Sequence, residues 1–464
     1  MTTAPAKYAH YLADFQSLTE GPGAEAPAWL KSARDNAWTK FAATGFPTAR
    51  RGNERWKYTN VGPIARTDFG YPLAPAPADG SEGLVPSYQV SGQTVFDLIY
   101  VDGVYSPGLS SPALDASGVV AASLAVAAGN DSLDLEGQVG RYAPPDDDGF
   151  AALNTAFLRD GAYVNVADDH AEKVVIRISY ITSQSEDANH KVTYPRTMIV
   201  AGRNTDITVV ESYRGPQESV YFTNAVTEIS VREGAKLDHY RLLLEGGKAF
   251  HVGTSRVIQE KDSSFSSASF ALGTTLARND LEVLLDAPGA YCSLNGLYLT
   301  ADNQHIDNLI SIDHAKPNCT SRLNYKGILD GKSRAVFGGT VMVRRDAQKS
   351  DAEQTDKNLI LSNSAEVDSK PSLLIYADDV KCSHGATAGH IDADTLFYLR
   401  SRGLDLDTAS RMLVHAFASE IINTVNLEPL QDYLNTLFAA AIPNKALPIA
   451  GLVPSRRAKA AGDK

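Results

Sequence analysis

VVIRISYI (Val174–Ile181), DITVVESY (Asp206–Tyr213), SVYFTNAVTEISV (Ser219–Val231) and LEVLLD (Leu281–Asp286) are short runs rich in β-branched residues, separated by Gly, Asn, Asp and Ser. Branching at Cβ favours extended backbone, and none of these runs carries a helical period. From about Lys173 to about Gly385 such runs follow one another without a helical break. Turn-like positions recur at Gly202, Gly234, Ser263 and Gly289, spacings of 32, 29 and 26 residues, roughly the length of one coil that carries several strands. A β-sandwich also needs many short strands, but a stretch of more than 200 residues suits an elongated solenoid better. The expected fold is therefore mainly β, with a parallel β-helix core.

Working outward, both flanks read as helical. Tyr8, Tyr11, Leu12 and Phe15 share one face, and Trp29, Leu30, Ala33, Ala37, Trp38 and Phe41 share another. PLAPAPADGSEGLVP (Pro72–Pro86) lacks the large apolar residues of a packed element and reads as an exposed connection. YAPPDDDG (Tyr142–Gly149) invites a metal-site reading, but adjacent carboxylates in a Pro/Gly loop read better as a solvated turn. After Gly389, Asp392 or Asp394 can cap a helix through Leu396, Phe397 and Leu399 that ends at Arg402-Gly403. A second helix from about Asp407 places Ala409, Met412, Leu413, Ala416, Phe417 and Ile421 on one stripe. Pro429 opens a third through Leu430, Leu434 and Leu437. The expected division is a helical region (1–70), a connecting segment of mixed strands and loops (71–172), the solenoid core (173–390), a helical domain (391–442) and a disordered tail (443–464).

The 464 residues include 43 Lys+Arg and 55 Asp+Glu, a net charge of −12, and 43% are hydrophobic. The length suffices for a core without staples. A pI near 5.3 argues against a protein built to hold a phosphate backbone, which needs clustered Lys and Arg. Cys292, Cys319 and Cys382 are an odd, sparse set, so a disulfide framework is not expected. MTTAPAKYAHYLADF lacks a signal-type apolar core, and no later stretch approaches the roughly 18 apolar residues of a membrane span. The expected setting is a reducing cytosol.

The sequence contains no GxxxxGK[ST] phosphate loop, no HExxH, no GxSxG and no GxGxxG between strand and helix. What stands out is DDVKCSHGATAGH (Asp378–His390), where strands give way to helices. Cys382 and His384 are two apart, so an extended strand projects both to one face, and thiolate with imidazole suits iron or sulfur chemistry. Two ligands are an incomplete metal site, and a buried Cys beside a hydrogen-bonded His is the structural alternative. His305, His314 and Cys319 match no standard finger spacing and read as stacked solenoid positions; Cys292 reads as core.

HIDNLISIDHAKPNCTSRLNYKGILDGKSRAVFGG (His305–Gly339), QKSDAEQTDKNLILSNSAEVDSKPSLLIYADDVKCSHGATAG (Gln348–Gly389) and DTLFYLRSRGL (Asp394–Leu404) closely resemble the SufB/SufD family of iron–sulfur cluster assembly proteins. RRGNERWKYTN (Arg50–Asn60), YVDGVYS (Tyr100–Ser106) and FAALNTAF (Phe150–Phe157) extend the likeness across nearly the whole chain. The SufB branch carries a HEAT segment where this chain has His384-Gly385-Ala386-Thr387, so the wording DDVKCSHGAT is similar to the SufD branch. The resemblance implies a right-handed parallel β-helix between helical regions, pairing with SufB through the β-helices, and docking of the SufC ATPase on the C-terminal helices. The ATPase being a separate polypeptide accounts for the missing phosphate loop. The resemblance also implies that His384, with weaker support for Cys382, serves a transient iron–sulfur cluster at the SufB–SufD interface, where a SufB cysteine accepts sulfur. Reduced flavin is associated with the SufBCD complex, but this chain shows no flavin motif. The expected role is a non-ATPase scaffold that binds neither nucleic acid nor membrane and forms homodimers when alone. The alternative is a stand-alone β-helix enzyme acting on carbohydrate, which would want an acidic cleft and usually export.

Overall fold

The computed structural model describes residues 8–49, 53–74, 82–86, 88–111, 118–130, 133, 135–146, 148–184 and 190–443. Part of the Pro72–Pro86 connection, Asp147 and the tail from residue 444 lie outside the described residues. The centre is a parallel β-solenoid of about seven turns. Successive strands alternate between two sheets, so each pairs with the strand two further along the chain. Phe250 lies between Phe222 and Leu276 in the first sheet, and Thr320 between Tyr291 and Asp351 in the second. The sheets also take in Thr94–Val101, Val119–Ser123 and Ala162–Val166, N-terminal of residue 173.

The apolar runs are near-continuous because most strands are covered on both faces. Tyr221–Val231 is buried at every position. Inward side chains stack in columns such as Ile207, Leu237, Phe265 and Cys292. A carboxylate midway along the lumen is paired: Glu211 meets His239 Nε2 at 3.1 Å and accepts from Thr197 at 2.6 Å. Burial alone would raise the Glu211 carboxyl, but the hydrogen bond and charge of His239, with Arg241 and Thr197, pull it down to about 2.

The coil-to-coil turns lie at or beside the four expected positions. Their left-handed backbone is carried by Asn204, Gly234, Asp262 and Gly289. Asn and Asp tolerate this region because their short side chains hydrogen-bond locally. Gly202 serves a different need, since a Cβ there would come within 2.3 Å of the Val166 carbonyl oxygen.

Ala9–Glu20 and Ala28–Thr44 are helices whose Tyr11, Phe15, Trp38 and Phe41 cluster with Phe150 and Phe222 against the first sheet. Asp148, the last residue of the Asp run, caps the helix Gly149–Ala156 by accepting from the Phe150 and Ala151 amides at 2.8 and 3.0 Å. The segment from Arg55 to Thr59 straps the outer face of that sheet. Arg55 forks onto Asp280 at 3.0 and 2.8 Å, Arg278 stacks 3.9 Å over the Trp56 ring, and Thr59 and Arg278 both donate to Asp307.

Ala393–Ser401, Leu406–Ile422 and Glu428–Ala441 form the C-terminal helices. Asp392 caps the first by accepting from the Thr395 amide at 2.7 Å, and Gly403 ends it at φ +95°. On Leu406–Ile422 the stripe differs from expectation. Ala409, Val414, Ala418, Ile421 and Ile422 are buried, whereas Met412 is 49% exposed. The helix is rotated because it docks on the outer face of the second sheet, among Leu242, Phe270, Leu297 and Ile328, as well as on its sister helices. The buried Lys326 ammonium fixes that seam, donating to the Phe417 carbonyl at 3.2 Å and pairing with Glu420.

Candidate functional site at the open end of the solenoid

Each sheet ends at the same end of the solenoid. Glu366–Ile375 is the last strand of the first sheet and Lys381–Gly389 the last of the second, and among the described residues neither has a further strand beside it. A free edge leaves backbone N–H and C=O groups unpaired and ready to accept another chain. The covering that makes inner strands wholly buried is missing here. Lys381–Gly389 is exposed at every position but Cys382, and Leu374, Ile375 and Tyr376 are 41, 42 and 62% exposed.

The structure places both expected site residues on this last strand. Cys382 lies beside Ala352 and His384 beside Gln354. Ala352 and Gln354 are buried, so these are inward positions of the coil, exposed only because no rung follows. Cys382 packs on the core, and burial pushes its thiol up, the direction that favours the neutral form. His384 is exposed and makes no side-chain hydrogen bond within the described residues, which leaves its imidazole available. Among the described residues no three His, Cys, Asp or Glu side chains group as a metal site. The strand thus offers a partial donor set whose completion requires groups from elsewhere.

Two glycines sharpen this picture. Glycine weakens a strand unless another group must come close. Inside the solenoid that need is met within the chain: a Cβ on Gly327 would strike Asn358 Oδ1 at 2.3 Å, and one on Gly296 the Tyr325 ring at 2.2 Å. Around Gly385 and Gly389 a Cβ would meet nothing within 4 Å. The fold of this chain does not require them. The sequence signals neither a docking role for these glycines nor the place of Gln354 and Asp356 in the penultimate rung, where Gln354 lies beside His384.

The other histidines and cysteines have internal roles. His305 hydrogen-bonds Thr59 at 3.1 Å, and His314 bridges Ser350 and Ser321 at 3.2 and 2.8 Å. Cys319 Sγ donates to the Ala287 carbonyl at 3.3 Å, and Cys292 is fully buried. Away from the solenoid end, Thr408, Arg411, Met412, His415, Ala416, Ala439 and Ile442 line a mostly apolar groove of about 370 Å³ on the C-terminal helices. Phe397, 73% exposed, and Tyr398, 54% exposed, stand on the first of these helices. No helix of the described residues is long and apolar enough to cross a membrane.

Comparison with known proteins agrees with this architecture. Residues 180–417 match the model of the SUF system FeS cluster assembly SufBD core domain, and residues 6–178 that of the SufBD protein N-terminal region. The chain is 30% identical over 406 residues to the iron–sulfur cluster assembly protein SufD of Escherichia coli, covering 87% of this chain and 91% of that one. It is 30% identical over 390 residues to an iron–sulfur cluster assembly SufBD family protein of Synechocystis, covering 82% and 85%. It is also 35% identical over 264 residues to the chloroplastic protein ABCI7 of Arabidopsis thaliana, covering 55% of each. With residues 6–178 and 180–417 matched and 91% of the Escherichia coli relative covered at 30% identity, this solenoid with its open final rung belongs to the SufB/SufD family of iron–sulfur cluster assembly proteins.

Proposed function

We propose that this chain is a non-ATPase scaffold subunit of a SufBCD-type complex, pairing end to end with a SufB-type chain through the strands Glu366–Ile375 and Lys381–Gly389. The observation that carries this reading is the last strand itself, with a free edge, an exposed His384 and glycines that nothing in this chain explains. A paired solenoid continues the sheets, satisfies the edge groups and brings its own donors to the imidazole. When no SufB-type chain is present, the same edge joins two copies of this one.

His384 in its neutral form offers a ring nitrogen to iron, the cargo of the reaction, and the partner's thiolates and sulfide complete the set. Cys382 stands next to it with a thiol that must lose its proton before it can bind, so its part is the smaller one. The SufC ATPase docks on the C-terminal helices, where the Met412 groove and the exposed Phe397 and Tyr398 supply an apolar anchor. Reduced flavin belongs to the assembled complex, in the cytosol, and no residue of this chain is assigned to it.

The test is His384→Ala in the complete complex. We expect the subunits to remain assembled and ATPase activity to stay near wild type, while the yield of cluster falls by roughly tenfold or more. Cys382→Ser should reduce it less. Dissociation of the histidine variant would make His384 a packing residue, and a normal cluster yield would remove the ligand role.

A further inference from the structure

Directly inside the last strand lies a carboxylate without a countercharge. Asp356 occupies an inward position of Asp351–Ile360, with Tyr325 on one side and Ala386 of the last strand on the other. It is wholly buried. Its Oδ2 accepts from Asn358 Nδ2 at 2.8 Å and from Ser369 Oγ at 2.7 Å, and its Oδ1 has no partner among the described residues. Gln354, beside His384, donates to the Gly339 carbonyl at 3.2 Å, and its own Oε1 has no partner among the described residues. Two acceptor oxygens therefore point into the same end of the lumen with no donor. Burial raises the Asp356 carboxyl to about 6, against the pull of the Ser369 and Asn358 hydrogen bonds. The ionisable groups nearest it in the coil, Tyr298 and Tyr325, are held neutral by burial and supply no positive charge.

The carboxylates of the inner rungs are arranged differently. Glu211 meets His239 at 3.1 Å and Glu245 meets His251 at 2.7 Å. Space differs as well, because the last strand carries Ala386 and Ala388 where the inner rungs carry Asp356 and Asn358 or Tyr325 and Gly327. On the open side the last strand sets only Ala386 beside Asp356, and the exposed His384 beside Gln354. We propose that Asp356 and Gln354 form the floor of a socket that takes a lysine or arginine side chain from the solenoid docking on this rung. Lys and Arg carry donors and no acceptor, the complement of two free acceptor oxygens, and their charge offsets the one the lumen otherwise leaves unpaired. A metal ion fits less well, since Asp356 is the one carboxylate of the pair and among the described residues no three His, Cys, Asp or Glu side chains group together.

The inference rests on end-to-end docking with a SufB-type chain. Its test uses the full-length chain, wild type and Asp356→Asn, measuring the thermal midpoint of the isolated chain and its affinity for the SufB-type partner at pH 7.5. Asparagine keeps the shape but removes the buried charge. The isolated variant should therefore melt higher than wild type, while its affinity for the partner falls tenfold or more. Equal affinity would overturn the socket and leave docking intact, whereas no binding by the wild type would overturn docking and the socket with it. A variant that melts lower than wild type would show the carboxylate already compensated within the chain, and wild-type binding abolished by chelator would make the occupant a metal; either result overturns the socket.

Discussion

Gly385 is an outward position where an added Cβ would meet nothing within 4 Å, so Gly385→Val tests the docking edge without touching the core. Valine is the better strand former, and the melting temperature of the isolated chain should hold or rise slightly. Association with the SufB-type partner should be lost, because a branched side chain would stand where a second backbone comes close. Retained association, measured by co-purification or light scattering, would show that this edge is not the docking surface. The sequence made Cys382 and His384 legible as a pair because two residues along a strand return to the same face. It did not make their surroundings legible. Gln354 and Asp356 lie some thirty positions away, and their relation to His384 depends on a register that coil lengths varying from one turn to the next do not fix. The same holds for left-handed residues such as Asn204 and Asp262, whose conformation belongs to the turn rather than to glycine.

The C-terminal helices show how tertiary contact decides what a helical stripe means. Their existence, caps and terminating glycine follow from local chemistry, and Asp392, Gly403 and Pro429 act as read. The buried face of Leu406–Ile422 was misplaced because two apolar stripes compete along it. The solenoid takes Val414 and Ala418, and Met412 and Ala416 are left to the groove. Deleting these helices would strip Leu242, Phe270 and Leu297 of their cover and confound any binding result with aggregation. Point substitutions separate the two effects. Phe397→Ser with Met412→Glu alters only well-exposed side chains, so the stability of the free chain should change by no more than about 0.5 kcal/mol each. If these are anchors for SufC, its affinity should fall by roughly 30-fold, as for the loss of about 2 kcal/mol at an interface hot spot. Calorimetric titration showing unchanged affinity would move ATPase docking elsewhere.

At the scale of the whole molecule, stability rests on a lumen that holds ionisable groups in fixed protonation states. Burial holds His314 down to about 4 against the pull of the Asp313 and Asp351 carboxylates, with serines on both ring nitrogens. Its unfolded value is near 6.5, so its contribution is intact above that pH and is lost as pH falls from about 6.5 to 4, up to roughly 3 kcal/mol. Glu211, held near 2, contributes above its ordinary value of 4.5 and loses that contribution as pH falls toward 2. Asp356, with its carboxyl raised to about 6, shifts stability the opposite way over the same window, so the profile is read in the Asp356→Asn background: thermal midpoints from pH 8 to 4 should decline chiefly below 6.5, and adding His314→Gln should flatten that arm. A profile flat to pH 4 in that background would mean that the interior accepts the charge. The order of the strands has a further consequence, for synthesis. In both sheets the rungs follow the chain from its N-terminal to its C-terminal side, so the strand bearing His384 and Gly385 is the last of the solenoid to leave the ribosome. It has nothing to stack on until the rungs before it exist. A nascent or stalled chain exposes some other edge but lacks the imidazole and the glycines of the final rung, so under the proposed docking only a translation product that has completed the coil carries the full recruiting surface.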